Sequence, residues 1–168
     1  DDLLHFSSIN HEAVKVESFA PKEVFQHIIK DLASDIEAKG AVVKIGPLPS
    51  SIAADKNLLH LVFQNLIANG IKFVSPNVKP QIEVAYTTQQ EDHVFLVKDN
   101  GIGIAPEHQQ KVFKLFKRLH RVDAYQGTGI GLSICRKVME KHQGTITIES
   151  ELKKGSTFFV RLPKCLDN

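Results

Sequence analysis

Apolar residues recur along this chain in two rhythms, one helical and one alternating. From Pro21 onward, Val24, Phe25, Ile28, Ile29, Leu32 and Ile36 fall on one helical stripe. Pro21 suits a first helical turn and Gly40 suits a stop, so the pattern predicts a single helix between them. A second stripe, Leu58, Leu59, Val62, Phe63, Leu66 and Ile67, follows Asp55, a good N-cap, and should end before Pro76. A third helix is predicted over 130–142 from Leu132, Cys135, Val138, Met139 and His142, with Gly144 as its stop.

The alternating rhythm predicts strands at Val14 to Phe19, at Ala41 to Ile45 and around Ile82, Val84 and Tyr86. Val94 to Val97 is continuously apolar, as in a central strand. Thr145 to Ser150 and Ser156 to Leu162 alternate about Lys153-Lys154-Gly155, a terminal hairpin. Gly46 to Ser50 reads as loop, Gln89 to Asp92 as a turn, and Pro106 to Arg118 as one or two short helices. Leu119 to Gln126 is the least patterned interior segment. The sum is an α/β fold, a two-layer sandwich of a mixed sheet with helices on one face. Residues 1–13 give little pattern and read as a linker or the end of a preceding helix. The domain proper is expected over 14–163, with 164–168 as a tail.

Composition narrows the function classes. A chain of 168 residues with 42% hydrophobic and 24% charged residues is ordinary for one globular domain. A net charge of +2 without a long basic run argues against nucleic acid as partner. Cys135 and Cys165 form no C-x-x-C pair, and Cys135 falls on an apolar helix face, as a packed thiol would. No apolar run approaches a membrane span and no signal peptide is evident. The abrupt start at Asp1-Asp2-Leu3-Leu4 suggests a piece of something longer. The histidines at 5, 27, 60, 93, 108 and 142 show no metal-ligand grouping.

Two glycine-rich turns bracket the candidate chemistry. Asp99-Asn100-Gly101-Ile102-Gly103-Ile104 follows the central strand, and Gly127-Thr128-Gly129-Ile130-Gly131-Leu132 runs into the last helix. Such a turn offers free N–H groups and the positive end of a helix dipole, which suits phosphate. Neither turn is a dinucleotide fingerprint: the sixth position is Leu132 in one and Pro106 in the other. No G-x-x-x-x-G-K-[ST] loop occurs. On the second helix, Asn65 and Asn69 share a face, with Lys72 and Phe73 on or beside it. An amide oxygen can hold a hard cation such as Mg²⁺, lysine can meet phosphate as a point charge, and a ring can stack on a base. Asp99 can accept a hydrogen bond from an exocyclic amine, although Asp-Asn-Gly is also ordinary turn chemistry. Phe113 and Phe116 read as the packing residues of an amphipathic helix, or else Phe116 helps to wall a nucleotide pocket.

In order and spacing these residues resemble the ATP-binding catalytic domain of bacterial sensor histidine kinases, within the GHKL ATPase superfamily. Asn65 to Phe73 is similar to the N box, Asp99 to Ile104 to the G1 box, Phe113 to Leu119 to the F box, and Gly127 to Leu132 to the G2 box. Gly155-Ser156-Thr157-Phe158 resembles the last glycine motif. The resemblance covers roughly residues 14–163. Arg118-Leu119-His120 and the short segment before Gly127 look most like phytochrome-type light-sensing kinases.

The resemblance implies a Bergerat ATP site. Asn69 would coordinate Mg²⁺, Lys72 would contact phosphate, Phe73 would lie against adenine, and Asp99 would accept the adenine amino group. Gly101 and Gly103 would let the chain pass under the base, beside Ile104. Residues 119–126 would form the ATP lid, with Gly127, Gly129 and Gly131 as its hinge and phosphate cradle and with Thr128 and Leu132 also at the nucleotide. Phe116 would help to wall the pocket, Arg118, His120 and Arg121 would be basic candidates for the γ-phosphate, and Thr157 would close the adenine side. It also implies partners: a helical-hairpin domain that makes the parent a homodimer and carries the acceptor histidine, a downstream response regulator, and a cytoplasmic setting. That acceptor domain is missing here; His11-Glu12 resembles its motif only superficially and reads as a linker histidine. Gly70 stands where the family usually has alanine, at a cost of about 1 kcal/mol to the helix. Asn65 stands where ATP-hydrolysing relatives such as gyrase carry a glutamate base; an amide cannot serve as that base. The expectation is a kinase domain that holds ATP without hydrolysing it quickly. Its rivals are a nucleotide-regulated binding module without transfer, and a serine kinase or anti-sigma regulator on the same fold.

Overall fold

The computed structural model describes residues 2–114 and 129–165. Among the described residues, five α-helices, α1 (Asp2–His11), α2 (Pro21–Asp31), α3 (Ala33–Lys39), α4 (Lys56–Lys72) and α5 (Gly131–Lys141), accompany seven strands. The strands are β1 (Glu17–Phe19), β2 (Val42–Ile45), β3 (Ile52–Ala54), β4 (Gln81–Gln89), β5 (Asp92–Asp99), β6 (Thr145–Glu151) and β7 (Gly155–Pro163). Five of them form one mixed sheet in the order β2-β4-β5-β7-β6, in which β2 and β4 are parallel and the other pairs antiparallel.

The continuous apolar run predicted as a central strand is β5, third of the five. Its Phe95 and Val97 meet Phe63 of α4 and the neighbouring strands in one core, and Phe25, Phe63 and Phe95 form a ring cluster with centroids 4.8–6.4 Å apart. Along β7, Ser156, Phe158, Val160 and Leu162 are buried and alternate with half-exposed residues. The helices therefore cover one face of the sheet, as the sequence pattern predicts.

Two expectations need correction, and two short elements join the fold. The stripe after Pro21 is two helices, because Leu32 (φ −95°, ψ 8°) leaves the helical region. The bonds Leu32 N–H to Ile28 O and Ile36 N–H to Leu32 O still bridge the bend, and neither Gly nor Pro marks it. β3, which follows the predicted loop 46–50, pairs antiparallel with the short β1; three residues are too few to show a period. Residues 2–11 are helical, one of the two forms expected there, with Ile9 buried in the core and Phe6 packed against it. Gly144 is not the left-handed residue that ends α5; Gln143 is, at φ 57°. Gly144 matters because a Cβ there would overlap the Arg161 carbonyl oxygen.

The site-bearing helices are tied together at their far ends. Asp55 caps α4, its carboxylate accepting the N–H groups of Leu58 (3.1 Å) and Lys15 (2.9 Å). The Asp55 N–H in turn donates to Nε2 of His142 (3.1 Å), whose Nδ1 lies 2.8 Å from the Val138 carbonyl oxygen. That geometry fixes a neutral ring with the proton on Nδ1. Burial holds the His142 pKa below the ordinary 6.5, against opposing help from the Val138 carbonyl and Asp55. A histidine depressed on folding stabilises fully above its unfolded pKa and loses that contribution as the pH falls below about 6.5. His142→Gln keeps an acceptor and a donor but does not titrate. Its unfolding midpoint in urea is expected to fall less steeply than the native chain's between pH 7 and 5; parallel profiles would remove His142 as the source.

Beside that link, the Lys141 ammonium donates to the carbonyls of Ile9 and Glu12 and fastens α1 to α5. Cys135 is wholly buried against Val62, and burial pushes its thiol pKa far up, so it is an inert packed thiol. No helix among the described residues is long and apolar enough to cross a membrane.

Candidate functional site

Three chain segments converge where α4 ends over the C-terminal end of β5. α4 brings Asn65, Asn69 and Lys72, all half-buried. Asn65 Nδ2 donates to the Leu61 carbonyl (2.9 Å), while its Oδ1 faces Gly131 at the start of α5. An ideal Cβ on Gly131 would stand 2.7 Å from that oxygen, so glycine is what lets α5 begin against α4. Among the described residues the Asn69 carboxamide makes no hydrogen bond, while its backbone carbonyl accepts Phe73 N–H (2.9 Å) at the helix end. Lys72 Nζ sits 5.0 Å above the centre of the Phe73 ring.

The turn after β5 is built around Asp99. Its Oδ1 accepts two backbone N–H groups, Gly101 at 2.9 Å and Ser156 at 3.3 Å. No hydrogen bond among the described residues uses its Oδ2. Burial raises the Asp99 pKa above the ordinary 3.8, and the two N–H bonds pull it the other way. Phe73 O accepts Ile102 N–H (2.9 Å), and a Cβ at Gly101 would overlap that same carbonyl. Gly103, at φ +71°, faces the Glu151 carbonyl just as closely. These glycines are therefore demanded by chain packing: the turn is wedged between the end of α4 and the β6–β7 hairpin.

Side chains that the sequence reading did not single out hold the turn in place. Asn100 Oδ1 accepts Gln81 N–H (2.8 Å) and its Nδ2 donates to Lys79 O (3.0 Å), pinning the turn to the start of β4. Ser150 Oγ accepts Ile104 N–H (2.7 Å) and lies 2.7 Å from Ser156 Oγ. Gln109 Nε2 reaches the carbonyls of Ile104 (3.0 Å) and Ser150 (2.8 Å). Only alternation in the hairpin, which puts Ser150 and Ser156 on the face of Phe158, could have signalled part of this set.

That alternation also corrects Thr157. It pairs with Lys98 and Glu149, both exposed, and its side chain leaves the sheet on the face away from Asp99. The residue of β7 that touches the carboxylate is the buried Ser156, paired directly with Asp99.

The structure thus sets the end of α4 against Asp99 and its turn, through Gly70 beside the Asp99 Cβ and Phe73 O bonded to Ile102 N–H, while Asn65 faces Gly131 at the start of α5. Gly129, at φ +74°, precedes the buried Ile130, and Leu132 is half-buried in the first turn of α5. Of the one or two short helices expected over 106–118, the described residues hold two single-turn 3-10 helices, 106–108 and 111–113, with Phe113 edge-on to Phe158. Phe116, Arg118, His120, Arg121, Gly127, Thr128 and the segment 119–126 lie outside the described residues. No cluster of three or more His, Cys, Asp or Glu capable of holding a metal occurs among the described residues. A magnesium ion here would have to take amide, phosphate and water oxygens, which suits the Asn69 carboxamide.

Known proteins resemble this chain in sequence and in fold. Residues 54–165 match the family model described as histidine kinase-, DNA gyrase B- and HSP90-like ATPase. The chain is 41% identical over 163 residues, 97% of its length, to phytochrome-like protein Cph1 of Synechocystis, of which it covers 22%. It is 39% identical over 112 residues, 66% of its length, to the sensor protein SrrB of Staphylococcus aureus, covering 19% of that protein. The chain therefore spans about a fifth of the curated relatives it matches. Among solved structures, full-length ShkA in complex with AMPPNP superposes with a TM-score of 0.82 at 22% identity, over 99% of this chain and 35% of that one. The nucleotide-free catalytic domain of histidine kinase ThkA gives 0.75 at 25% identity, over 89% of this chain and 96% of that one.

Proposed function

Because the chain belongs to the histidine kinase-, DNA gyrase B- and HSP90-like ATPase family, we propose that it holds Mg-ATP for phosphoryl transfer to a histidine on another domain. The observation that carries this reading is Asp99: one oxygen is fixed by two backbone N–H groups and the other is unused among the described residues, at the end of a buried strand. That is an acceptor preset for an exocyclic amine. Ser156, rather than Thr157, backs the carboxylate. The Phe73 ring and Ile104 offer apolar surface to a purine. Asn69 offers an amide oxygen to Mg²⁺, and Lys72 an ammonium to phosphate. Bound Mg²⁺ supplies charge neutralisation on the phosphates. The N–H groups at the start of α5 and the glycines before it would face the phosphate chain.

The reaction asks little covalent chemistry of this chain. The nucleophile is a neutral imidazole nitrogen from outside, and the transfer needs positioning and charge stabilisation. Asn65 supplies no base: its amide is spent on the Leu61 carbonyl and its oxygen faces Gly131. The acceptor is a histidine on a helical-hairpin domain through which the parent protein dimerises. A response regulator receives the phosphoryl group afterwards, and the parent's kinase region is cytoplasmic.

The test joins this chain to its hairpin domain and follows label transfer from γ-labelled ATP. The expected product is an acid-labile, alkali-stable phosphohistidine, absent in Asn69→Ala, with slow phosphate release from the isolated chain. ATP binding without any transfer would favour a nucleotide-gated docking module. Rapid hydrolysis by the isolated chain would contradict the role given to Asn65.

A further inference from the structure

We propose that Gly70 and Ile82 form a matched small–large pair that sets the depth of the Asp99 carboxylate and so the preference for a 6-amino purine. Gly70 lies inside α4, one residue past Asn69, and is buried. Beneath it, Ile82 of β4 pairs directly with Asp99 of β5. An ideal Cβ on Gly70 would stand 2.8 Å from Ile82 Cγ1 and 3.2 Å from Asp99 Cβ. Carbon atoms in contact prefer about 3.5–4.0 Å, so a methyl group there must push on both strands at the same point.

The two neighbours can yield by different amounts. Ile82 is 2% exposed, and its Cγ1 is an inner atom of a β-branched side chain packed in the core. Asp99 is the last residue of β5, and Gly101, which donates to its carboxylate, lies in the turn beyond the strand end, so this end can give slightly although Ser156 of β7 also holds the same oxygen. The displacement therefore falls largely on Asp99. A carboxylate moved by a few tenths of an ångström lengthens its bond to the adenine amino group and leaves the phosphate contacts alone. Glycine at this helix position, unfavourable for the helix itself, is thus the partner that an isoleucine at position 82 requires.

The inference rests on the adenine role proposed for Asp99, and the two can be told apart. ATP and inosine triphosphate differ where adenine carries its amino group; inosine presents a carbonyl instead. Affinities for both, with Mg²⁺, are measured by calorimetry on the 168-residue chain and on Gly70→Ala, Ile82→Ala and the double variant. The native chain should prefer ATP; equal affinities would overturn the Asp99 reading itself. Gly70→Ala should lose ATP affinity about fivefold or more while inosine triphosphate changes less than about twofold. Ile82→Ala removes the atom that the new methyl meets, so the double variant should regain the native ATP preference. An unchanged preference in Gly70→Ala, or a double variant no better than Gly70→Ala, would overturn the pairing while leaving Asp99 in place. Should Gly70→Ala fail to fold, a folded double variant with native preference supports the pair, and an unfolded one refutes it.

Discussion

Asp99→Asn is expected to weaken binding of a fluorescent ATP analogue by roughly 10- to 100-fold, the worth of a hydrogen bond to a charged group in a partly buried site. The fold should survive, because the asparagine oxygen can still accept the Gly101 and Ser156 N–H groups that Asp99 Oδ1 accepts now. What changes is the other atom. Where the carboxylate offers a second oxygen, asparagine presents an NH₂, and two donors then face each other across the cleft. A titration by fluorescence anisotropy, with circular dichroism as the check on folding, measures the difference. Native affinity in Asp99→Asn would remove this residue from purine recognition.

Gly103→Ala should be the most destabilising exchange in the turn, by about 2 kcal/mol or more. Two separate effects add there. Left-handed backbone at φ +71° costs an L-residue about 1–2 kcal/mol, and the new Cβ would overlap the Glu151 carbonyl oxygen, which cannot retreat without opening the β6–β7 hairpin. Gly40 separates the two. It has φ +61°, but the nearest atoms to its Cβ are the end of the Lys79 side chain at 3.8–3.9 Å, so Gly40→Ala meets strain without collision. Gly40→Ala should lower Tm by a few degrees and Gly103→Ala by roughly 5–10 °C, using about 2–4 °C per kcal/mol for a chain of this size. Only the second should also lose nucleotide affinity. Equal shifts would mean that the hairpin gives way, and that the wedge between α4 and β6–β7 does not hold the turn.

Elements long enough to show a period were legible in the sequence. β5 announced itself as an unbroken apolar run, α4 by its stripe behind the Asp55 cap, and the β6–β7 hairpin by alternation about Lys153-Lys154-Gly155. What escaped was either too short or decided by contact. β1 and β3 have three residues each and exist because they pair with each other. The bend at Leu32 has no local marker, since both flanking helical bonds persist. At the site, residue types and order were readable, which placed Asn69, Lys72, Phe73 and Asp99 together. Which face of β7 meets Asp99 was not, because Ser156 and Thr157 are adjacent, both carry hydroxyls, and a shift of one residue moves a side chain across the sheet. The reason for each glycine was hidden too: Gly70, Gly101, Gly103 and Gly131 are answers to neighbours far away in sequence.

The claim that distant segments meet to grip Mg-ATP is tested most directly by a crystal structure of this chain grown with a non-hydrolysable ATP analogue and Mg²⁺. The account expects the adenine amino group within hydrogen-bond distance of Asp99 Oδ2, the purine against Phe73 and Ile104, and the metal on the Asn69 amide oxygen. A nucleotide bound with its purine away from Asp99, or a cleft left empty at saturating analogue, would contradict it.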